Sequence, residues 1–199
     1  MAKILTFEPE NHIYELDGVE LPSVSEITRF ISREIYGEVT QYTLDRAAER
    51  GTNVHKLTEA LDKYGSCEAD EGLLPYLQAY VEFRKNNRIE WSKIEFCTYN
   101  PIEGYGMTVD RYGTLNGKQI LVDIKTSSQI QTVAVTAQLT LYRMGLEEQG
   151  FPVDEMYVLH LKKDGKFTFR RVEPNHELAK ACLTLHKALE KKPRKRKDE

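Results

Sequence analysis

Ile120-Leu121-Val122-Asp123-Ile124-Lys125-Thr126 reads as a buried β-strand whose apolar run is broken twice, by an aspartate and, two residues on, by a lysine. Side chains two apart on a strand share a face, so the acid and the base emerge side by side. Burying either is costly unless it is paired or bound to a metal. Alone, the triplet reads best as a salt bridge at a strand edge, because a chain this charged carries such triplets by composition. The strand before it changes that reading. Gly106-Met107-Thr108-Val109-Asp110-Arg111 places another aspartate in an apolar strand, and Asn116-Gly117 is a tight-turn pair that joins the two. A hairpin of this kind brings Asp110 toward Asp123. Two close carboxylates repel, so their proximity makes sense chiefly when a divalent cation neutralises them.

Outward from this hairpin, three strands are expected at residues 91–99, 105–115 and 118–127. A helix follows at 131–149, ending at Gly150. Strands at 156–161 and 166–172 flank an Asp164-Gly165 turn, and Asn175 is placed to cap a final helix. Upstream, residues 4–7 and 12–16 read as a hairpin, with Asp17-Gly18 as a turn. Ser23 and Glu26 form a capping-box pattern opening a short helix to about residue 31. Residues 42–64 read as a helical stretch interrupted by Gly51. Residues 71–87 read as a helix with Leu74, Leu77, Tyr80, Val81 and Arg84 on one side. The order helix, helix, three strands, helix, two strands, helix predicts an α/β fold, a mixed sheet with helices packed on it.

Composition narrows the function. The 199 residues are 40% hydrophobic and 30% charged, ordinary values for a soluble globular protein. No apolar stretch approaches a membrane span, and the first residues lack a secretory pattern, so a cytoplasmic protein is expected. Cys67, Cys97 and Cys182 are scattered, which argues against a disulfide framework and against a four-cysteine zinc or iron–sulfur site. Net charge is −3, but residues 191–199 carry six basic and two acidic side chains, leaving −7 on residues 1–190. Such a body does not attract nucleic acid by bulk charge. The tail reads either as a disordered, solvated segment or as a non-specific phosphate contact.

Two more segments complete the pattern. In Arg50-Gly51-Thr52-Asn53-Val54-His55 a histidine follows a glycine by four residues on a helix; alone it reads as a core or capping histidine. Gln138 and Tyr142 stand one helical turn apart after the D-x-K strand; alone they read as the polar edge of an amphipathic helix. The ordered set is far more specific. G-x-x-x-H on a helix, then G-x-x-V-D, then D-I-K-T-S, then Q-x-x-x-Y resembles the RecB-like branch of the PD-(D/E)XK nucleases, which includes stand-alone phage exonucleases. The motifs span residues 43–145, and His12-x-Tyr14 with Leu21-Pro22-Ser23-Val24-Ser25 also looks like the phage-type members. Val109 stands where the motif's name has proline, and Asp123 where glutamate is common.

The resemblance implies a restriction-endonuclease-like α-β-β-β-α-β core in a single nuclease domain over residues 1–190. Residues 1–40 form its N-terminal hairpin and helix, 42–190 its core, and 191–199 a tail. It implies Asp110 and Asp123 as metal ligands, Lys125 as the catalytic lysine, and the Ile124 carbonyl and His55 as further ligands. Gln138 and Tyr142 would support the site and the substrate phosphates. Glu95 matches an acidic position on the first core strand and reads equally as a solvent-facing residue. The implied cofactor is Mg2+, with Mn2+ substituting and no iron–sulfur cluster. The implied partners are DNA and recombination or single-strand-binding proteins, in a bacterial or phage-infected cell and away from membranes. The expected activity is hydrolysis of DNA, exonucleolytic and serving phage-type recombination or processing. Alternatives are a structure-specific endonuclease and an inactive DNA- or partner-binding protein of the same fold.

Overall fold

Asp17 and Gly18 both adopt positive φ, 53° and 79°, and turn the N-terminal chain back on itself. The computed structural model describes residues 3–10, 12–37 and 39–190, so the basic tail lies outside the described residues. The turn builds three antiparallel strands, β1 (Leu5–Glu8), β2 (Ile13–Leu16) and β3 (Val19–Leu21), where the sequence suggested two. Leu16 pairs with Val19 directly across it, which recruits the third strand.

Ser23 caps α1 (Val24–Ile27) through the expected box, its Oγ accepting from the Glu26 amide while the Glu26 carboxylate accepts from the Ser23 amide. The helix stops earlier than expected. The Thr28 hydroxyl donates back to the Val24 carbonyl at 2.9 Å, and α2 (Arg29–Tyr36) begins afresh. α3 (Gln41–Tyr64) runs unbroken through Gly51, since one glycine costs a helix only about 1 kcal/mol. α4 (Leu74–Asn86) buries Tyr76, Ala79, Tyr80 and Phe83, whereas Leu74, expected on the apolar side, is exposed.

The central sheet is mixed, in the order β4 (Ile89–Asn100), β5 (Tyr105–Leu115), β6 (Lys118–Lys125), β7 (Glu155–Leu161), β8 (Phe167–Val172). Asn116 and Gly117, at φ 52° and 79°, close the β5–β6 hairpin. β6 and β7 are parallel, joined across α5 (Thr132–Glu147), and the other neighbours are antiparallel. Asn175 caps α6 (His176–Glu190), accepting from the Leu178 amide. The α-β-β-β-α-β order that the resemblance implies is α4 through β7.

Helices cover both faces, and β6 serves both cores. Leu121 packs with Met107 and Val109 of β5 against Ile27 of α1, Leu139 of α5 and Leu183 of α6. Ile120, Val122 and Ile124 pack with Val54 of α3 and with Tyr80 and Phe83 of α4. No described helix is long and apolar enough to cross a membrane.

The N-terminal sheet is tied to β5 at one tight point. Gly106 donates to the Pro22 carbonyl at 2.9 Å, and Tyr14, fully buried, lies so close that a Cβ on Gly106 would sit 2.2 Å from its ring. Tyr14 cannot retreat, because its hydroxyl bonds Thr108 Oγ1 at 2.9 Å. Gly106→Ala is therefore expected to lower stability by about 1–3 kcal/mol, as overpacked cores do. Urea unfolding measures this, and an unchanged midpoint would show that the sheet gives way freely.

Candidate active site

The antiparallel ladder between β5 and β6 ends at the Arg111–Val122 pair. Asp110 and Asp123 come next, at the fork where the strands part. On the other side of β5, the register from Ile94–Arg111 to Phe96–Val109 sets Glu95 opposite Asp110. Three carboxylates thus occupy neighbouring positions on three adjacent strands, where strand spacing is about 4.8 Å.

Two irregularities aim them. Glu95 has φ 46°, the left-handed region, which for a non-glycine residue costs on the order of 1–3 kcal/mol. In β5 the alternation slips: Val109 and Tyr112, three positions apart, enter the same core. The two residues between them, Asp110 and Arg111, both reach α3. Asp110 Oδ1 lies 3.7 Å from His55 Nδ1, and Arg111 Nε donates to Asp62 at 2.8 Å. Asp123, by contrast, follows β6's regular alternation toward α5. The fork is approached from the α3 side by Asp110 and from the α5 side by Asp123.

Around Asp110 the contacts are dense. Its Oδ2 accepts from the Ile124 amide at 2.6 Å, so the side chain serves an amide beyond the end of the β5–β6 ladder. His55 is held from two directions: Nδ1 lies 3.1 Å from Glu95 Oε1, and Nε2 lies 3.1 Å from the Ile124 carbonyl oxygen. Ligand atoms of His55, Glu95 and Asp110 all lie within 4.8 Å of one another, close enough to share one cation.

On the α5 side, Lys125 Nζ donates to Asp123 Oδ1 at 2.9 Å and to Gln138 Oε1 at 3.0 Å. Gln138 in turn donates to the Tyr142 hydroxyl at 2.9 Å. The helical spacing of Gln138 and Tyr142 thus becomes a hydrogen-bonded chain that fixes the lysine. Asp123 Oδ2 is buried and has no hydrogen-bond partner among the described residues.

The electrostatics follow from this crowding. Burial pushes the Asp110 carboxyl up, and the Glu95 charge adds to the effect. Burial, then the Asp110 charge, raises Asp123 to about 6 despite Lys125. Burial alone would lower His55, but Asp110 and Glu95 outweigh it and hold the imidazole at about 9. Burial and mutual repulsion thus both work against full negative charge at the fork. An unpartnered buried carboxylate oxygen, a second carboxylate, an imidazole and a backbone carbonyl at one fork form a donor set that suits a hard divalent cation.

The sequence reading missed the support beneath this fork. Arg111 is completely buried; besides Asp62, its guanidinium donates to Glu95 at 3.0 Å and to Thr58 at 3.0 Å. Tyr80 also donates to Asp62, and Arg84 lies 3.3 Å from it. Arg111 thereby holds Glu95, and Glu95 holds His55. Such outer partners orient a liganding histidine and fix its tautomer. A signal was present: Asp62 stands seven residues after His55, two helical turns along one face.

No protein-family model and no curated protein matches the sequence. Among solved structures the chain is similar to an alkaline exonuclease (LHK-Exo) from Laribacter hongkongensis, at 14% identity and a TM-score of 0.41, covering 83% of this chain and 84% of that one. The complex of LHK-Exo with dAMP gives 12% identity and 0.43, over 85% of this chain and 87% of that one. A phage related exonuclease from Haemophilus somnus 129PT gives 12% and 0.39, over 85% and 94%. These likenesses are weak.

Replacing Arg111 by Met strands Asp62 and Glu95, and is expected to cost about 3–5 kcal/mol. Adding Asp62→Asn should recover part of that loss, since the two groups compensate each other. Urea unfolding of the two single variants and the double variant reads the coupling. Additive losses would show that the pair is not a unit.

Proposed function

We propose that this protein is a divalent-metal-dependent DNA nuclease of the PD-(D/E)XK kind, and that it cuts from DNA ends. The observation that carries the reading is the fork itself, where Asp110 reaches across to the Ile124 amide, Asp123 Oδ2 is buried without a hydrogen-bond partner among the described residues, and Lys125 holds the other Asp123 oxygen. A purely structural salt bridge rarely leaves a buried carboxylate oxygen unserved.

In this reading His55, Asp110, Asp123 and the Ile124 carbonyl would hold the cation, Mg2+ with Mn2+ as a substitute. Bound there, it would supply neutralising charge to a phosphate and make a water more acidic. Glu95 orients the His55 ring. Lys125, fixed by Gln138 and Tyr142, presents its ammonium to the negative charge that builds on a phosphodiester under attack. That charge is strongest in the transition state, so the lysine contributes more to rate than to substrate affinity. DNA as the substrate and phage-type recombination or processing as the setting rest on the motif order, from Gly51 to Tyr142.

End-labelled linear DNA incubated with Mg2+ should be degraded, and excess chelator should stop it. Asp123→Asn and Lys125→Ala should each lower the rate about a hundredfold or more, with circular dichroism showing a retained fold. Full activity in chelator, or in Lys125→Ala, would overturn the mechanism. A covalently closed circle of the same sequence should survive. Equal cutting of circle and linear duplex would replace end-dependent cleavage with an endonuclease.

A further inference from the structure

We propose that the substrate strand has a second holding site just beyond β6, a sequence-independent cradle for its phosphodiester backbone. The proposal rests on the nuclease reading above. A cleft of about 570 Å³ opens there, with Arg50, Thr126, Ser128, His160, Lys162 and Lys163 in its lining.

Two elements lead from the fork into this cleft. α3 carries His55 to the fork and Arg50 to the cleft, and five helical residues span about 7.5 Å. β6 ends at Lys125, and the next residue, Thr126, already lines the cleft. From Lys125 to Ser128 the chain reaches at most about 11 Å. Phosphates recur about every 3.4 Å of axis along one strand of a duplex. That axial rise is a lower bound on the distance between successive phosphates, so a strand with one phosphate at the fork has the next one or two within reach of the cleft.

The charge is local and of the right sign. Arg50, Lys162 and Lys163 face one carboxylate, Asp164, in the cleft lining, on a body in which residues 1–190 sum to −7. General attraction is unavailable to such a body, so a polyanion held by residues 1–190 needs a local basic surface, and this cleft offers one. The cleft is also built in advance. Arg50 Nη2 donates to the Thr126 carbonyl at 3.3 Å while its guanidinium lies 5.9 Å from the Tyr76 ring centre. His160 Nε2 stands 2.7 Å from the Ser127 carbonyl oxygen, and Ser127 Oγ donates to the Gln129 carbonyl, which shapes the 126–129 turn. Arg50, Lys162, Lys163, Thr126, Ser127 and Ser128 bring guanidinium, ammonium and hydroxyl donors to the lining. Such groups contact phosphate and sugar, and position a strand without reading its bases.

The test uses the full chain and a fluorescent single-stranded oligodeoxythymidylate, with binding measured in EDTA across a salt series. Lys162→Ala with Lys163→Ala should weaken binding about tenfold and reduce the slope of log affinity against log salt by about 1.4, or 0.7 for each of two phosphates. Lys163 is exposed and Lys162 half-buried, and near-ultraviolet circular dichroism checks that the fold is kept. The comparison variant removes two lysines that do not line the cleft, one near the end of α4 and one at the start of β6, Lys85→Ala with Lys118→Ala, and should bind as the wild type does. An unchanged slope in the cleft variant, or an equal loss in the comparison variant, would overturn the proposal. Binding in EDTA does not depend on hydrolysis, so a wild type that binds through these lysines but cuts nothing counts against the nuclease reading alone.

Discussion

A carboxylate taken out of water must be partnered, and this chain gathers four of them: Asp62, Glu95, Asp110 and Asp123, with side chains 2%, 19%, 9% and 1% exposed. The architecture around the fork follows from meeting that demand. Arg111, with no exposure, answers Asp62 and Glu95; His55 answers Glu95 and Asp110; Lys125 answers Asp123. Each cation comes from a different element, so α3, β5 and β6 are locked together by charge as well as by apolar packing. Removing one partner from such a set costs more than the set contributes, because a charge is left stranded. Asp123 Oδ2 is buried with no hydrogen-bond partner among the described residues, and it lies where the strands separate.

The sheet bears the conformational cost of this arrangement. A regular β5 would send Asp110 and Arg111 to opposite faces and leave α3 with only one of them. The slip between Val109 and Tyr112 turns both toward the helix, and Glu95 meets them from β4 with left-handed backbone. Strain of this kind persists where the surroundings over-determine it, and here Arg111 and His55 grip the strained residue directly. The opposite side of the fork is regular. Gln138 and Tyr142 project from α5 at helical spacing and hold Lys125 without distortion. One side is thus strained and one relaxed, with the two aspartates between them.

Much of this was legible. The β5 boundaries, the Asn116-Gly117 turn, the Ser23 box and the α5 pair follow from local rules, and the structure keeps them. The D-x-K strand and the Asp110 strand were readable because charge in an apolar run is conspicuous. What stayed hidden depends on three dimensions. Arg111 drew no notice at the end of an apolar segment, because its pairing depends on the slip in β5 that turns it toward Asp62 of α3. Asp62 sits on a helix rich in charge, where its only local signal is the seven-residue spacing that puts it on the face of His55. Thr28 ended α1 through a hydroxyl-to-carbonyl bond, although threonine within a helical pattern often does not. The stripe on α4 was misplaced for a related reason: Tyr76 and Phe83 face Arg50 and the β8 aromatics, partners no helical periodicity reveals.

The central claim is that the fork between Asp110 and Asp123 is a cation site. Crystals soaked in Mn2+ and measured for anomalous scattering test it most directly. The account predicts a difference peak within about 2.0–2.3 Å of Asp110, Asp123, His55 and the Ile124 carbonyl, the range for oxygen and imidazole ligands. A peak only at surface carboxylates, with the Lys125–Asp123 pair unchanged, would contradict it.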